Sequence, residues 1–235
     1  MPNEIVGEDS RIGWSGTISF EQSDNWIMPW RIPIKDRALF AEQLVERAAM
    51  PAGVKLSFLS DADWVNIKCN VSDDRSPLDL FINGEFRKTV DTVGVTEIRF
   101  DSLGTENKVF DVWLPQYGEF RFGGLRLSEG ASFSVHESGN LPRWVTYGSS
   151  ITQCREADSP SLTWPSIVAR ARKNDLTCLG YGGQCHLDPL IARVIRDHDA
   201  DLISLCLGIN IYGNASLNER TFGSGIIGFI KIIRE

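Results

Sequence analysis

At 235 residues the chain has room for one large domain or two modest ones. Its composition, 42% hydrophobic and 23% charged, is that of an ordinary globular protein. A formal net charge of −7 excludes the basic stripe of a nucleic-acid binder, and no apolar run is long enough to span a bilayer. Neither nucleic acid nor membrane is therefore an expected partner. The start, MPNEIVGEDSR, is polar and acidic rather than leader-like. The five cysteines (69, 154, 178, 185 and 206) form an odd set with no CxxC pair. Reduced, mostly buried thiols in a cytoplasmic protein are the expectation, with no disulfide framework.

Residues 1–138 read as β. Val54–Phe58, Thr96–Phe100 and Ala131–His136 alternate apolar and polar, the period of a strand with one buried face. Asn83-Gly84, between Leu80-Phe81-Ile82 and Glu85-Phe86-Arg87, is a two-residue hairpin signal. One helical interruption is expected between Leu39 and Ala49. Many short strands at this spacing predict an antiparallel β-sandwich of jelly-roll type. Ser138-Gly139-Asn140-Leu141-Pro142 reads as a linker.

Residues 142–235 alternate strand and helix. Trp144–Tyr147 is a short strand. Ser161 or Thr163 caps a helix with Pro165 in its first turn. Leu176–Tyr181 is the next strand, and Asp188-Pro189 opens a helix carrying Leu190, Ile191, Val194 and Ile195. Leu202–Leu207 is an almost unbroken apolar run, expected of a parallel strand covered on both faces. Phe222, Ile226, Phe229, Ile230 and Ile233 recur at helical spacing. The βαβαβα order predicts a partial, flavodoxin-like parallel α/β domain.

Functional residues of such sheets gather beyond the carboxyl ends of the strands. Those ends are Gly148-Ser149-Ser150, Gly182-Gly183-Gln184 and Gly208-Ile209-Asn210. In this order they resemble the first three blocks of the SGNH, or GDSL-type, serine hydrolases, which supply a Ser, a Gly and an Asn from successive strand ends. The likeness covers residues 142–235. It implies acyl transfer without a cofactor. Ser150 would be the nucleophile and, through its N–H, an oxyanion donor; the Gly183 N–H and the Asn210 side chain would be the others. Ser149 falls in the slot usually held by Asp. That departure, with the run Leu179–Pro189, resembles a subgroup with a Gly-Ser-Ser-Ile-Thr start behind a β-sandwich. Its members include carbohydrate esterases and an acyltransferase acting on a polyketide scaffold. A small-molecule acyl ester, with a glycan or polyketide among the candidates, is the partner implied; a homo-oligomer is left open.

The family places its base in an Asp-x-x-His block far beyond the Asn block, whereas Asn210 is followed by only 25 residues without a histidine. The expectation is a hydrolase domain about two strands short, without catalytic His and Asp, whose esterase activity is vestigial at best. His136 reads as a surface residue and His198 as a cation favoured at a helix end. His186, three residues past Gly183, is the candidate pocket or loop-orienting residue and the weaker candidate for a substitute base. Scattered histidines and lone cysteines lack metal-ligand spacing, and Gly180-Tyr181-Gly182-Gly183 lacks the ending of a phosphate loop. An alternative from another class is a carbohydrate- or ligand-binding module using Trp14, Trp26, Trp30, Trp64 or Trp113; core packing is the plainer reading of those rings.

Overall fold

The structure, a computed structural model, describes residues 3–7, 9–137 and 139–235; Ser138, the first residue of the expected linker, lies outside the described residues. The antiparallel part contains β1 (Asn3–Ile5), β2 (Gly13–Ser15), β3 (Ser19–Ser23), β4 (Trp26–Trp30), a 3-10 turn (Ile34–Leu39) and α1 (Glu42–Ala48). There follow β5 (Lys55–Ser60), β6 (Val65–Cys69), β7 (Leu78–Ile82), β8 (Glu85–Val90), β9 (Glu97–Phe100), β10 (Lys108–Trp113) and β11 (Phe122–Leu127). One sheet runs β3-β4-β11-β6-β9 with β1 on β11; the other runs β2-β5-β10-β7-β8. Their inner faces bury Phe58, Phe110 and Val112 from one side and Ile67, Phe100 and Leu125 from the other. Phe58 and Phe110 stack at 4.8 Å. Each such side chain stabilises the fold by about 1.5–3 kcal/mol relative to exposure.

Asn83, with a φ of 51°, turns β7 into β8 as its sequence predicts, and its Oδ1 accepts from the Val109 N–H at 2.9 Å. The alternating segment 131–136 is not a strand: it makes one bridge, Ser134 to Leu59. β2 already pairs with Lys55 to Ser57 on that edge of β5, so only its far end is free for a second neighbour.

The α/β part contains β12 (Arg143–Gly148), α2 (Ser150–Gln153), α3 (Trp164–Arg172), β13 (Asp175–Gly180), α4 (Pro189–Asp197), β14 (Leu202–Cys206), α5 (Ile209–Asn214) and α6 (Glu219–Ile233). β12 is central, pairing in parallel with β13 and β14. Thr163, not Ser161, caps α3, its Oγ1 accepting from the Ser166 N–H. β14 departs from the expected covered strand. Leu202 is 54% exposed, Cys206 is exposed, and the residues between are half-buried. Among the described residues it pairs with β12 alone.

The two parts share their packing. Met28, Trp30, Ile32 and Leu44 form one cluster with Tyr147, Leu179, Tyr181, Ile191 and Phe229. Phe81 and Trp113 form another with Trp144, Ala169 and Leu176. The fully buried Arg31 joins the parts through hydrogen bonds. Its guanidinium donates to the Met50 carbonyl at 2.5 Å, to Cys178 at 3.0 Å and Gly180 at 2.6 Å on the outer edge of β13, and to the Arg47 carbonyl. That satisfies carbonyls which an unpaired strand edge would leave open. Among the described residues, no helix is long and apolar enough to cross a membrane.

Candidate active site

The three strand ends are brought together by glycines that allow close approach. A Cβ on Gly148 would stand 2.1 Å from Thr152 Oγ1, and one on Gly180 would stand 2.3 Å from the Gln153 nitrogen. The single turn of α2 therefore sits directly on the ends of β12 and β13. Ser149 starts that turn: it is fully buried, and its Oγ accepts from the Ile151 N–H at 3.2 Å. An N-cap is a job that Ser and Asp do about equally well, which is a physical reason why Ser can stand in the usual Asp slot. Ser150, one residue on, is exposed.

The loop after β13 is fastened group by group. The Gly182 N–H donates to Gln153 Oε1 at 2.8 Å, and the Gly182 carbonyl accepts from Arg47 Nε at 3.2 Å. The Gln184 N–H reaches the Tyr181 carbonyl at 2.9 Å, and the Cys185 N–H reaches Asn210 Oδ1 at 3.0 Å. A Cβ on Gly182 would stand 3.7 Å from Ser150 Cβ, so the loop lies against the serine. Gly183 itself has a φ of 76°, with nothing within 4 Å of a Cβ built there. A side chain at this position would project into open space.

Asn210 enters from the third strand end, on α5. Because the Cys185 N–H requires an acceptor, the amide oxygen faces it and Nδ2 turns to the other side. Among the described residues, the Ser150 N–H, the Gly183 N–H and Asn210 Nδ2 have no protein acceptor, while the N–H groups of Ile151, Thr152, Gln153, Gly182, Gln184 and Cys185 all have one. These three open donors are the candidate groups named from the sequence.

The histidines are occupied elsewhere. His186 Nε2 is 3.0 Å from the Gly183 carbonyl, which only accepts, so this nitrogen carries the proton. Nδ1 then accepts from Ser216 Oγ at 2.8 Å. His186 thus braces the far side of Gly183. His198 Nε2 is 3.0 Å from Thr177 Oγ1, and burial pushes its pKa down, which disfavours the helix-end cation considered from sequence. His136, half-buried, lines a groove between the parts with Trp113 and Lys173. Cys185 is buried beside the loop and its thiol is pushed up to about 11, chiefly by desolvation, so it is not a competing nucleophile. Among the described residues no cluster of His, Cys, Asp and Glu could hold a metal ion.

Sequence reasoning missed Arg47, Gln153 and Gln116, whose carbonyl accepts from Gln153 Nε2 at 3.2 Å. Only Gln153 carried a local signal, as the residue that closes the Ser-Ser-Ile-Thr turn.

Comparisons with known proteins bear on the family and the fold. Residues 12–122 match the family described as the SsfX3 N-terminal domain, and residues 142–232 match the GDSL-like lipase/acylhydrolase family. The chain is similar to the salicylyl-acyltransferase SsfX3 from a tetracycline biosynthetic pathway, with 32% identity over 99% of this chain and 69% of that one, at a TM-score of 0.91. It shares its fold with a GDSL-like lipase from Bacteroides ovatus (21% identity, 100% of this chain and 71% of that one, TM-score 0.82). A family two carbohydrate esterase from Cellvibrio japonicus has the same fold at 13% identity, over 98% of this chain and 74% of that one, with a TM-score of 0.72. A comparison with curated proteins finds no match. On the SsfX3 likeness and the two matched segments, the chain belongs to the GDSL-like lipase/acylhydrolase family of esterases and acyltransferases, in the branch that carries an SsfX3-type N-terminal region.

Proposed function

We propose that the chain performs serine acyl chemistry on a small acyl ester, with Ser150 as nucleophile and the Ser150 N–H, Gly183 N–H and Asn210 Nδ2 as oxyanion donors. The observation that supports this reading is that these three donors, at successive strand ends, have no protein acceptor, whereas the N–H groups of Ile151, Gly182, Gln184 and Cys185 beside them do. Ser150 Oγ would attack the ester carbonyl as its proton leaves to a base, and the carbonyl electrons would move onto the oxygen between the donors. Collapse expels the alcohol; water or a second hydroxyl then takes the acyl group. Each fixed donor is worth about 3–4 kcal/mol of transition-state stabilisation. With both His186 nitrogens engaged, these residues supply no free imidazole to Ser150, and turnover by this chain is proposed to be weak. The names of the similar proteins support an aromatic acyl group or a glycan ester among the substrates.

A fluorophosphonate probe tests the nucleophile. Labelling at Ser150 that Ser150→Ala abolishes is the expected result; labelling that survives the substitution overturns it. Vigorous hydrolysis of an activated acetate ester, lost in Ser150→Ala, would show that the weak-turnover part is wrong. The binding-module reading fares less well. Trp30 and Trp113 are buried; of the three half-buried rings, Trp14 packs edge-on against Phe20 and Phe122, and arginines cover the other two, Arg121 over Trp26 at 5.0 Å and Arg99 over Trp64 at 4.0 Å. Those faces are not free to stack on sugar rings.

A further inference from the structure

The Gly182–Gly183 peptide has a handle that comes from the other part of the chain. A peptide unit is planar and trans, so the Gly182 carbonyl and the Gly183 N–H point in opposite directions. Whatever holds the carbonyl on one side therefore aims the N–H at the other. The holder is Arg47 Nε, donating at 3.2 Å from the last turn of α1, with Arg47 Cδ 3.8 Å from the place of a Gly182 Cβ. Arg47 is itself held, because its own carbonyl accepts from the buried guanidinium of Arg31. The preceding peptide is fixed separately, through the Gly182 N–H on Gln153 Oε1. His186 holds the following carbonyl, that of Gly183. Neither bond fixes the rotation of the peptide between them. Gly182 and Gly183 are both glycines, so little local sterics opposes a flip of that unit, and an external donor must set it.

We propose that Arg47 is a positioning residue that sets the Gly182–Gly183 peptide with its N–H toward Ser150, so that the antiparallel part of the chain completes the oxyanion hole. The proposal rests on the reading of the Gly183 N–H as an oxyanion donor. Without Arg47 the peptide is free to rotate and can present its carbonyl, a repulsive dipole, where the oxyanion must form. Sequence distance conceals the link: 135 residues separate the two partners.

Crystal structures and fluorophosphonate labelling of four proteins test it: wild type, Arg47→Met, Arg47→Lys and Ser150→Ala. Methionine keeps an unbranched stem and loses the donor, whereas lysine keeps a donor of similar reach. In Arg47→Met the Gly182 carbonyl is expected to turn from its wild-type direction, with labelling slowed by about tenfold to 100-fold and an unchanged melting temperature. Arg47→Lys is expected to restore both carbonyl direction and rate. A Gly182 carbonyl that keeps its direction in Arg47→Met overturns the proposal, whether or not wild type labels. A turned peptide without slowed labelling overturns its functional half. Labelling that persists in Ser150→Ala instead overturns the reading of the nucleophile, and the carbonyl direction still decides whether Arg47 sets the peptide.

Discussion

Asn210 does two jobs with one side chain, and they can be separated. Its Oδ1 holds the Cys185 N–H at 3.0 Å, and its Nδ2, without a protein acceptor, is the proposed oxyanion donor. Asn210→Asp keeps an acceptor for Cys185 and replaces the donor by a negatively charged oxygen. Fluorophosphonate labelling of Asn210→Asp should fall by about 100-fold to 1,000-fold, with a melting temperature close to wild type. Asn210→Ala should lose both the labelling and the loop's anchor, so its melting temperature falls too. Equal labelling by Asn210→Asp and wild type would remove Asn210 from the oxyanion set. Ser149 gives the complementary case. As a buried cap, its replacement in Ser149→Ala should cost about 1 kcal/mol of stability, and Ser149→Asp should recover it; thermal melting reads both.

The elements around the site are fixed by the absence of side chains as much as by their presence. Gly180→Ala would drive a Cβ to 2.3 Å from the backbone nitrogen of Gln153. Since a backbone atom cannot swing aside, α2 must lift off the sheet. The expected loss is about 3 kcal/mol or more, or roughly 6–12 °C in melting temperature for a chain of this size. Gly183→Ala meets nothing within 4 Å and pays only for its φ of 76°, about 1–2 kcal/mol. A greater loss in Gly183→Ala than in Gly180→Ala would contradict this ordering. At the end of α4, His198 makes folding depend on pH. Burial lowers its folded pKa below the unfolded value, so the unfolded chain takes up the proton first. Its contribution is complete above about pH 6.5 and declines as the pH falls below that value. His198→Gln should therefore flatten the fall in melting temperature between pH 7 and pH 5; an unchanged slope would clear His198.

What could be read from the sequence at this scale was what neighbours in the chain decide. The Asn83-Gly84 hairpin and the Thr163 cap with Pro165 behind it are local chemistry. Segment 131–136 has a strand's alternation, but β2, more than a hundred residues earlier, had already taken most of the available edge. Ser150, Gly183 and Asn210 could be named as candidates because each follows a strand end in order, and the structure places them after β12, β13 and β14. Arg47 and Gln116 were not, because their bonds to the loop and to Gln153 cross between the two parts of the fold.

At the scale of the whole molecule, those crossings mean that sandwich and α/β part stabilise each other. Met28, Trp30 and Ile32 belong to strand β4 and its exit but pack against Tyr181, Ile191 and Phe229. Detaching residues 1–138 would expose that apolar surface and strand Arg31, a charge with no exposure, whose acceptors Cys178 and Gly180 lie in the other part. In the intact chain Arg31→Met leaves both of those carbonyls unpaired at once, while the Met50 carbonyl keeps its bond from the Ala52 N–H. Hydrogen bonds to a charged group are worth about 1.5–3 kcal/mol each, so a loss of at least about 3 kcal/mol is expected. Calorimetry should show one transition for the wild-type chain, because neither part retains a complete core alone. Arg31→Met should lower that transition without splitting it if the hydrophobic clusters alone keep the parts coupled. Two separate transitions in wild type would mean that the sandwich folds on its own. In that case Arg47 would reach the Gly182–Gly183 peptide from an independently folding unit, and the oxyanion hole would open whenever the two parts separate.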